Sequence, residues 1–272
     1  ECWEFLNNDY PMGTFKDDDF DTVVTDDEGK TKPNWLNVFE ARFPDDDDLN
    51  AEYAAGKKPV YLERLVKWVK STDTTAVGLT ELEKTTRRNK FKTDLGNYFD
   101  IPYLCDYYTF TDVFACADQR VKNMMMAFWY NPDVDKMLAY MIFYDNDTIL
   151  GVRNDGRLKY DWDVNEETID QELSTATKTV YAFAGHDSVL WKNLRECFAD
   201  ELNEAYVRMR AALSNSAIFN YFDNEQSDKF CSRIYNIDAL NKYIIPKTIG
   251  IDVFDENSNT IIKKLYSYME AM

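Results

Sequence analysis

The sequence predicts a helix-rich α+β domain, and three observations carry that expectation. Apolar residues recur at helical spacing between Leu62 and Ala115, two dense apolar runs follow at Met124 to Tyr130 and Met137 to Tyr144, and helical spacing returns from Val189. The chain can fill a core, because 45% of its 272 residues are hydrophobic and 15% are aromatic.

The elements follow in order. Glu1 to Asp48 reads as a short strand at Cys2 to Leu6, aromatic-studded loops and a helix around Trp35 to Arg42. Leu62, Leu65, Val66 and Val69 lie on one helix face, with lysine and arginine between them on the wet face. The next helix starts at Thr80 and Glu83, whose S/T-x-x-E spacing lets two side chains satisfy amide donors at the helix end, and it runs to about Tyr98.

Pro102 suits the first turn of a third helix, with Leu104, Tyr107, Tyr108, Thr111, Phe114 and Ala115 along one face. The runs Met124 to Tyr130 and Met137 to Tyr144 flank Asn131, Pro132, Asp133 and Asp135 and read as an antiparallel β-hairpin covered on both faces. After Gly151 come a polar loop and a weakly patterned stretch to Gly185. Asp187 or Ser188 then caps a helix bearing Val189, Leu190, Leu194 and Phe198, and further helices follow through Tyr206 to Leu213 and Ile218 to Tyr221.

The absence of an internal repeat or a Gly/Ser-rich linker in the sequence predicts one domain over residues 1–254. It comprises a loop-rich opening segment at 1–60, a motif core at 61–151 and a helical part at 152–254. Residues 255–272 start a helix leading onward, and both ends read as cut from a longer polypeptide.

Charge and cysteine usage exclude several functions. A net charge of −18 repels phosphate backbones, so a role coating nucleic acid is excluded. The acidic runs Asp17 to Asp19 and Asp45 to Asp48 read as solvated loops and are assigned no site. Cys2, Cys105, Cys116, Cys197 and Cys231 are odd in number and lack a CxxC pair, which argues for reduced, core-filling thiols and a reducing cytosol. No apolar run approaches the roughly 20 residues of a membrane span.

The chemistry-bearing pattern is Asp118 and Asn123 in D-x4-N spacing, followed after the hairpin by Asp145 and Asp147. Phosphoryl transfer needs a carboxylate at the acceptor hydroxyl and oxygen ligands for magnesium at the nucleotide phosphates, and a hairpin that goes out and back returns Asp145 towards Asn123. Read singly, Asp118 and Asn123 also suit a cap or turn. Asp145, Asp147 and Gly151 do not make a calcium loop, because Ile149 occupies a required oxygen position. His186, the one histidine, reads as part of a helix-entry turn, and Met124, Met125 and Met126 read as core.

The strings Tyr98-Phe99-Asp100-Ile101, Asp118-Gln119-Arg120-Val121-Lys122-Asn123 and Asp145-Asn146-Asp147-Thr148-Ile149-Leu150-Gly151 resemble the spore-coat-protein-H (CotH) kinase-like family. The resemblance implies the C-lobe of an atypical protein-kinase fold around a central antiparallel hairpin, with ATP and Mg2+ as cofactors and protein serine as acceptor. It makes Asp118 the catalytic carboxylate, Asn123 and Asp145 magnesium ligands, and Asp147 a further acidic residue by the metal. Tyr144 stands where many members have tryptophan. Little chain precedes Asp118 to cover ATP, and no lysine is assigned to the phosphates.

A second resemblance spans most of the chain. Cys2-Trp3-Glu4-Phe5-Leu6-Asn7-Asn8, Phe39-Glu40-Ala41-Arg42-Phe43-Pro44, the Tyr144 to Gly151 segment and Ser188-Val189-Leu190-Trp191 look like large tail proteins of bacteriophages of gut Bacteroidetes, crAss-like phages among them. In that group the chain resembles the muzzle-type protein closing the tail tip. This implies a virion component made in the host cytoplasm, partnered by other tail proteins and by copies of itself. The resulting expectation is a structural and interaction domain on a kinase-like fold, without transfer activity by itself; the alternative is an ATP- and magnesium-dependent protein kinase.

Overall fold

The computed structural model describes residues 1–5, 20–25, 27–43, 52–53, 56–114, 116, 119–120, 124–146, 149 and 188–227. They form a mixed α+β fold. The strands are β1 (Cys2–Phe5), β2 (Val23–Thr25), β3 (Thr31–Pro33), β4 (Phe39–Phe43), β5 (Met125–Asn131) and β6 (Lys136–Ile142). The helices are α1 (Val60–Ser71), α2 (Glu81–Asp94), α3 (Ile101–Val113), α4 (Val189–Cys197), α5 (Ala199–Ala212) and α6 (Asn215–Ser227). These residues fall into two compact units, the first within Glu1–Thr109, Asp118–Asp145 and Phe183–Ala205, the second within Phe110–Ala117, Asn146–Ala182 and Tyr206–Met272.

The first unit is organised by a four-stranded sheet in the order β4-β1-β5-β6, with every strand pair antiparallel. Strand side chains alternate between faces, with one irregularity in the β1–β4 register between Cys2 and Trp3. Trp3, Phe5, Phe39, Ala41, Met126, Phe128, Ala139 and Met141 share the face that forms the core. Helix α1 packs on it, stacking Tyr61 on Phe128 at 5.9 Å. Around β1 the aromatics close edge to face, with Trp3 against Trp35 at 5.6 Å and Phe5 against Phe39 at 4.9 Å.

Helix α1 buries Leu62, Leu65, Val66, Trp68 and Val69, the helical stripe that the spacing predicts. Helix α2 buries Phe91 alone, so its own chemistry must supply much of its definition. The capping box is complete: Thr80 Oγ1 accepts from Glu83 N at 3.3 Å while a Glu83 carboxylate oxygen accepts from Thr80 N at 2.7 Å. Helix α3 starts where Pro102 predicts, with Asp100 Oδ1 accepting from Tyr103 N at 3.0 Å. Helix α4 is capped by Ser188, whose Oγ accepts from Trp191 N at 3.3 Å. It buries Asn193, which donates to the Thr72 carbonyl at 3.0 Å and joins α4 to the end of α1.

The hairpin forms as expected, from Met125 opposite Ile142 to Asn131 opposite Lys136. Two other expectations are corrected. Trp35 to Arg42 is not a helix but one 3-10 turn (Asn34–Asn37) followed by β4. The alternation of Phe39 and Ala41 with Glu40 and Arg42 suits a strand, and pairing with β1 decides the outcome. The hairpin is also not covered along its whole length. Strand β1 pairs with β5 only across Met125–Ala127, and beyond that point Trp129 and Tyr130 are exposed.

In the second unit, Phe110 and Phe114 stack at 4.4 Å. Ser214 Oγ accepts from Ala217 N at 3.2 Å at the start of α6, and Arg210 donates to Asn215 Oδ1 at 2.6 Å and to the Leu213 carbonyl at 3.3 Å. No helix among the described residues is long and apolar enough to cross a membrane. Cys2, Cys105, Cys116 and Cys197 are buried and form no disulfide, matching the core-filling reading, while Cys231 lies outside the described residues. Burial pushes the Cys2 and Cys197 thiols up, which lowers their thiolate fraction at neutral pH.

Candidate functional site

Asp145 follows β6 and is exposed, with its backbone in the left-handed region at φ 51°. Aspartate tolerates that conformation better than most residues, and here it turns the chain immediately after the strand. Gln119 fixes the turn. Its buried side-chain amide donates to the Asp145 carbonyl at 2.9 Å and to the Tyr144 carbonyl at 3.3 Å. One residue after Asp118, the chain is therefore bonded directly to the backbone of Asp145.

Gln119 and Arg120 are in turn held by two helices. Tyr107 on α3 donates its hydroxyl to the Gln119 carbonyl at 2.7 Å, and Trp191 on α4 donates Nε1–H to the Arg120 carbonyl at 3.1 Å. The Arg120 guanidinium is wholly buried, donates to the Tyr108 carbonyl at 3.0 Å and lies 3.9 Å from the centroid of the Tyr108 ring. Trp191 stacks on Tyr107 at 6.1 Å and lies tilted against Tyr108 at 5.8 Å. Tyr107 and Tyr108, on the helix face that the spacing predicts, are core. They are used to clamp this turn.

On the other side of Asp145, Arg42 of β4 sits over the Tyr144 ring at 5.9 Å. Its guanidinium bonds Glu4 of β1, a buried carboxylate, and lies 3.3 Å from Glu40. Burial opposes the charged guanidinium, but the hydrogen bond and charge of Glu4, with Glu40 beside it, outweigh burial and hold Arg42 above the usual arginine value. Arg42 is a fixed cation.

Of the four residues that the kinase-like pattern assigns, the structure describes Asp145. Asp118, Asn123 and Asp147 lie outside the described residues, as does His186. An exposed carboxylate is a hard oxygen ligand and suits a divalent cation, but one carboxylate is a fraction of a coordination shell. Among the described residues, no group of three or more His, Cys, Asp or Glu side chains is arranged to hold a metal ion.

The sequence reading passed over Gln119, Arg120 and the Glu4–Arg42 pair. A glutamine and an arginine inside a polar hexapeptide carry no burial signal, and Glu4 and Arg42 are 38 residues apart. The one available clue was the charge within β1: a glutamate inside a strand otherwise made of Cys2, Trp3 and Phe5 requires a partner. Comparison with protein-family models, with characterised proteins and with solved structures finds no match.

Proposed function

We propose that this chain is a structural and interaction domain of a muzzle-type bacteriophage tail protein, built on a CotH kinase-like scaffold and not transferring phosphate by itself. The observation that carries the interaction role is the outer end of the β5–β6 hairpin. Trp129, Tyr130 and Val134 are exposed there on a strand pair whose inner half lies in the core. Large side chains presented by a rigid element are the usual anchors of protein contacts. The tail assignment is supported by the sequence strings shared with such proteins, and it implies other tail proteins and further copies of this chain as partners within the virion.

A second reading is an ATP- and magnesium-dependent protein kinase. The bond from Gln119 to the Asp145 carbonyl favours it, because it ties the D-x4-N segment to the start of the D-x-D segment. In that reading Asp118 serves as catalytic carboxylate, and Asn123, Asp145 and Asp147 hold Mg2+ at the nucleotide phosphates. Calorimetric titration of the chain with ATP in the presence of Mg2+ separates the two. The structural reading expects no saturable binding; saturable binding by the native chain that is lost in Asp145→Asn selects the kinase.

A further inference from the structure

Two cations of the first unit meet at one asparagine. Arg64 of α1 donates to the Asn97 carbonyl at 3.4 Å, and Lys136 of β6 donates to Asn97 Oδ1 at 2.7 Å. Both side chains are exposed. Among the described residues neither forms an ion pair, whereas Lys58, Lys67, Arg88 and Lys90 each face a carboxylate. A guanidinium and an ammonium carry more N–H donors than these bonds use, so both keep hydrogen-bonding capacity on the solvent side.

The arginine is held flat. Its guanidinium lies 4.9 Å from the centroid of the Tyr98 ring, Tyr98 stacks on Trp68 at 4.2 Å, and Trp68 stacks on Phe91 at 5.3 Å. This column rises from buried Phe91 of α2 to the surface, and stacking on a guanidinium face leaves its N–H edge for hydrogen bonding. Lys136 is placed by strand pairing, opposite Asn131 at the start of β6. The bonds to Asn97 hold two like charges close together, and an anion between them offsets their repulsion. The surroundings share their sign. Residues 57–94, which span α1 and α2, hold ten of the 31 lysine and arginine side chains and five of the 49 acidic ones, a local net charge of +5 on a chain of −18.

We propose that Arg64 and Lys136, set on Asn97, anchor an acidic segment of a partner tail protein, one carboxylate in the arginine fork and a neighbouring one at the ammonium. This rests on the interaction-domain reading and names the chemistry of its partner. Arginine takes a carboxylate through parallel N–H bonds, which fixes direction as well as charge. Positive charge spread over α1 and α2 suits a run of carboxylates better than a single small anion. The pairing is local, because the repulsion of an acidic segment by the rest of the chain is damped beyond about 8 Å at physiological salt. A second copy is the poorer occupant, since each copy carries a net charge of −18 and repulsion between the two bodies is then at its largest.

The test uses the full chain and two fluorescent peptides of equal length, glutamate alternating with serine and glutamine alternating with serine. The acidic peptide is expected to bind at least about tenfold tighter than the neutral one, the reverse of the order that the net charge of −18 alone would give. Arg64→Gln/Lys136→Gln should weaken it about tenfold or more. Arg64→Lys keeps the charge and loses the fork, so it should weaken binding several-fold. Lys30→Gln/Lys92→Gln, at exposed positions elsewhere in the first unit, removes the same charge and should change little. Thermal unfolding of every variant reports whether the fold is kept.

Equal losses in the two charge-removing pairs would overturn the proposal in favour of diffuse charge attraction. Absence of binding by the acidic peptide, or binding that Arg64→Gln/Lys136→Gln leaves intact, would overturn it too. Displacement of the peptide by an equal concentration of inorganic phosphate would reassign the anchor to a free anion. A concentration-dependent dimer in sedimentation, lost in Arg64→Gln/Lys136→Gln, would assign it to a second copy and contradict it. These outcomes leave the interaction-domain reading standing; phosphoryl transfer by the chain is what removes that reading.

Discussion

Trp191→Ala is expected to lower the free energy of unfolding by about 4–8 kcal/mol. Truncating a fully buried tryptophan costs about 3–5 kcal/mol in lost packing and cavity formation. Here it also removes the donor to the Arg120 carbonyl, and an orphaned buried acceptor adds about 1–3 kcal/mol. The total approaches the whole stability of an ordinary domain. Trp191→Phe keeps a ring beside Tyr107 and Tyr108 and loses the N–H, so its cost should fall to about 1–3 kcal/mol. Urea unfolding of the three proteins measures both. A cost below about 1 kcal/mol for Trp191→Ala would mean that α4 does not hold the Gln119–Arg120 turn.

Arg42→Ala is the second large effect. It strands the Glu4 carboxylate, whose side chain is 8% exposed, inside the sheet. Breaking a buried pair from one side costs about 3–5 kcal/mol, but Arg42 is itself 37% exposed, so solvent screening brings the expectation down to about 2–3 kcal/mol. Adding Glu4→Gln should recover part of the loss, because the uncompensated charge goes with it. The double-mutant cycle gives the coupling directly. Amide exchange at Tyr144 and Asp145 should quicken in Arg42→Ala, since the guanidinium no longer lies over the Tyr144 ring. Unchanged exchange there would separate the ion pair from the candidate site.

What the sequence made legible was local chemistry. Thr80 with Glu83 and Ser188 each carry their helix start in a side chain a few residues from the amide it serves, and Pro102 marks the first turn of α3. The hairpin was legible because Pro132 and its flanking Asn and Asp residues punctuate two apolar runs. Strand β4 was not, since Trp35, Leu36, Val38 and Phe39 also fit a helical stripe and only distant β1 decides between the two. Burial of Gln119 and Arg120 depends on Tyr107, Tyr108 and Trp191, supplied by helices before and after them in the chain. The candidate site was legible as a spacing, and its position at the end of β6 is visible through Asp145; what fixes it is long-range.

The proposed role has this chain binding partners without catalysis, and an assay for transfer of radiolabelled phosphate decides between binding and catalysis. The native chain is incubated with ATP and Mg2+ or Mn2+ and a serine-bearing protein acceptor, beside Asp118→Ala and Asp145→Asn. Efficient transfer needs the nucleotide phosphates fixed in line by cations and a covering element as well as a metal at the aspartates. Arg42, which lies over the Tyr144 ring, is already committed to Glu4 and Glu40. No transfer above background is expected in any of the three proteins; transfer by the native chain that both substitutions abolish would establish the kinase and rule out the structural role.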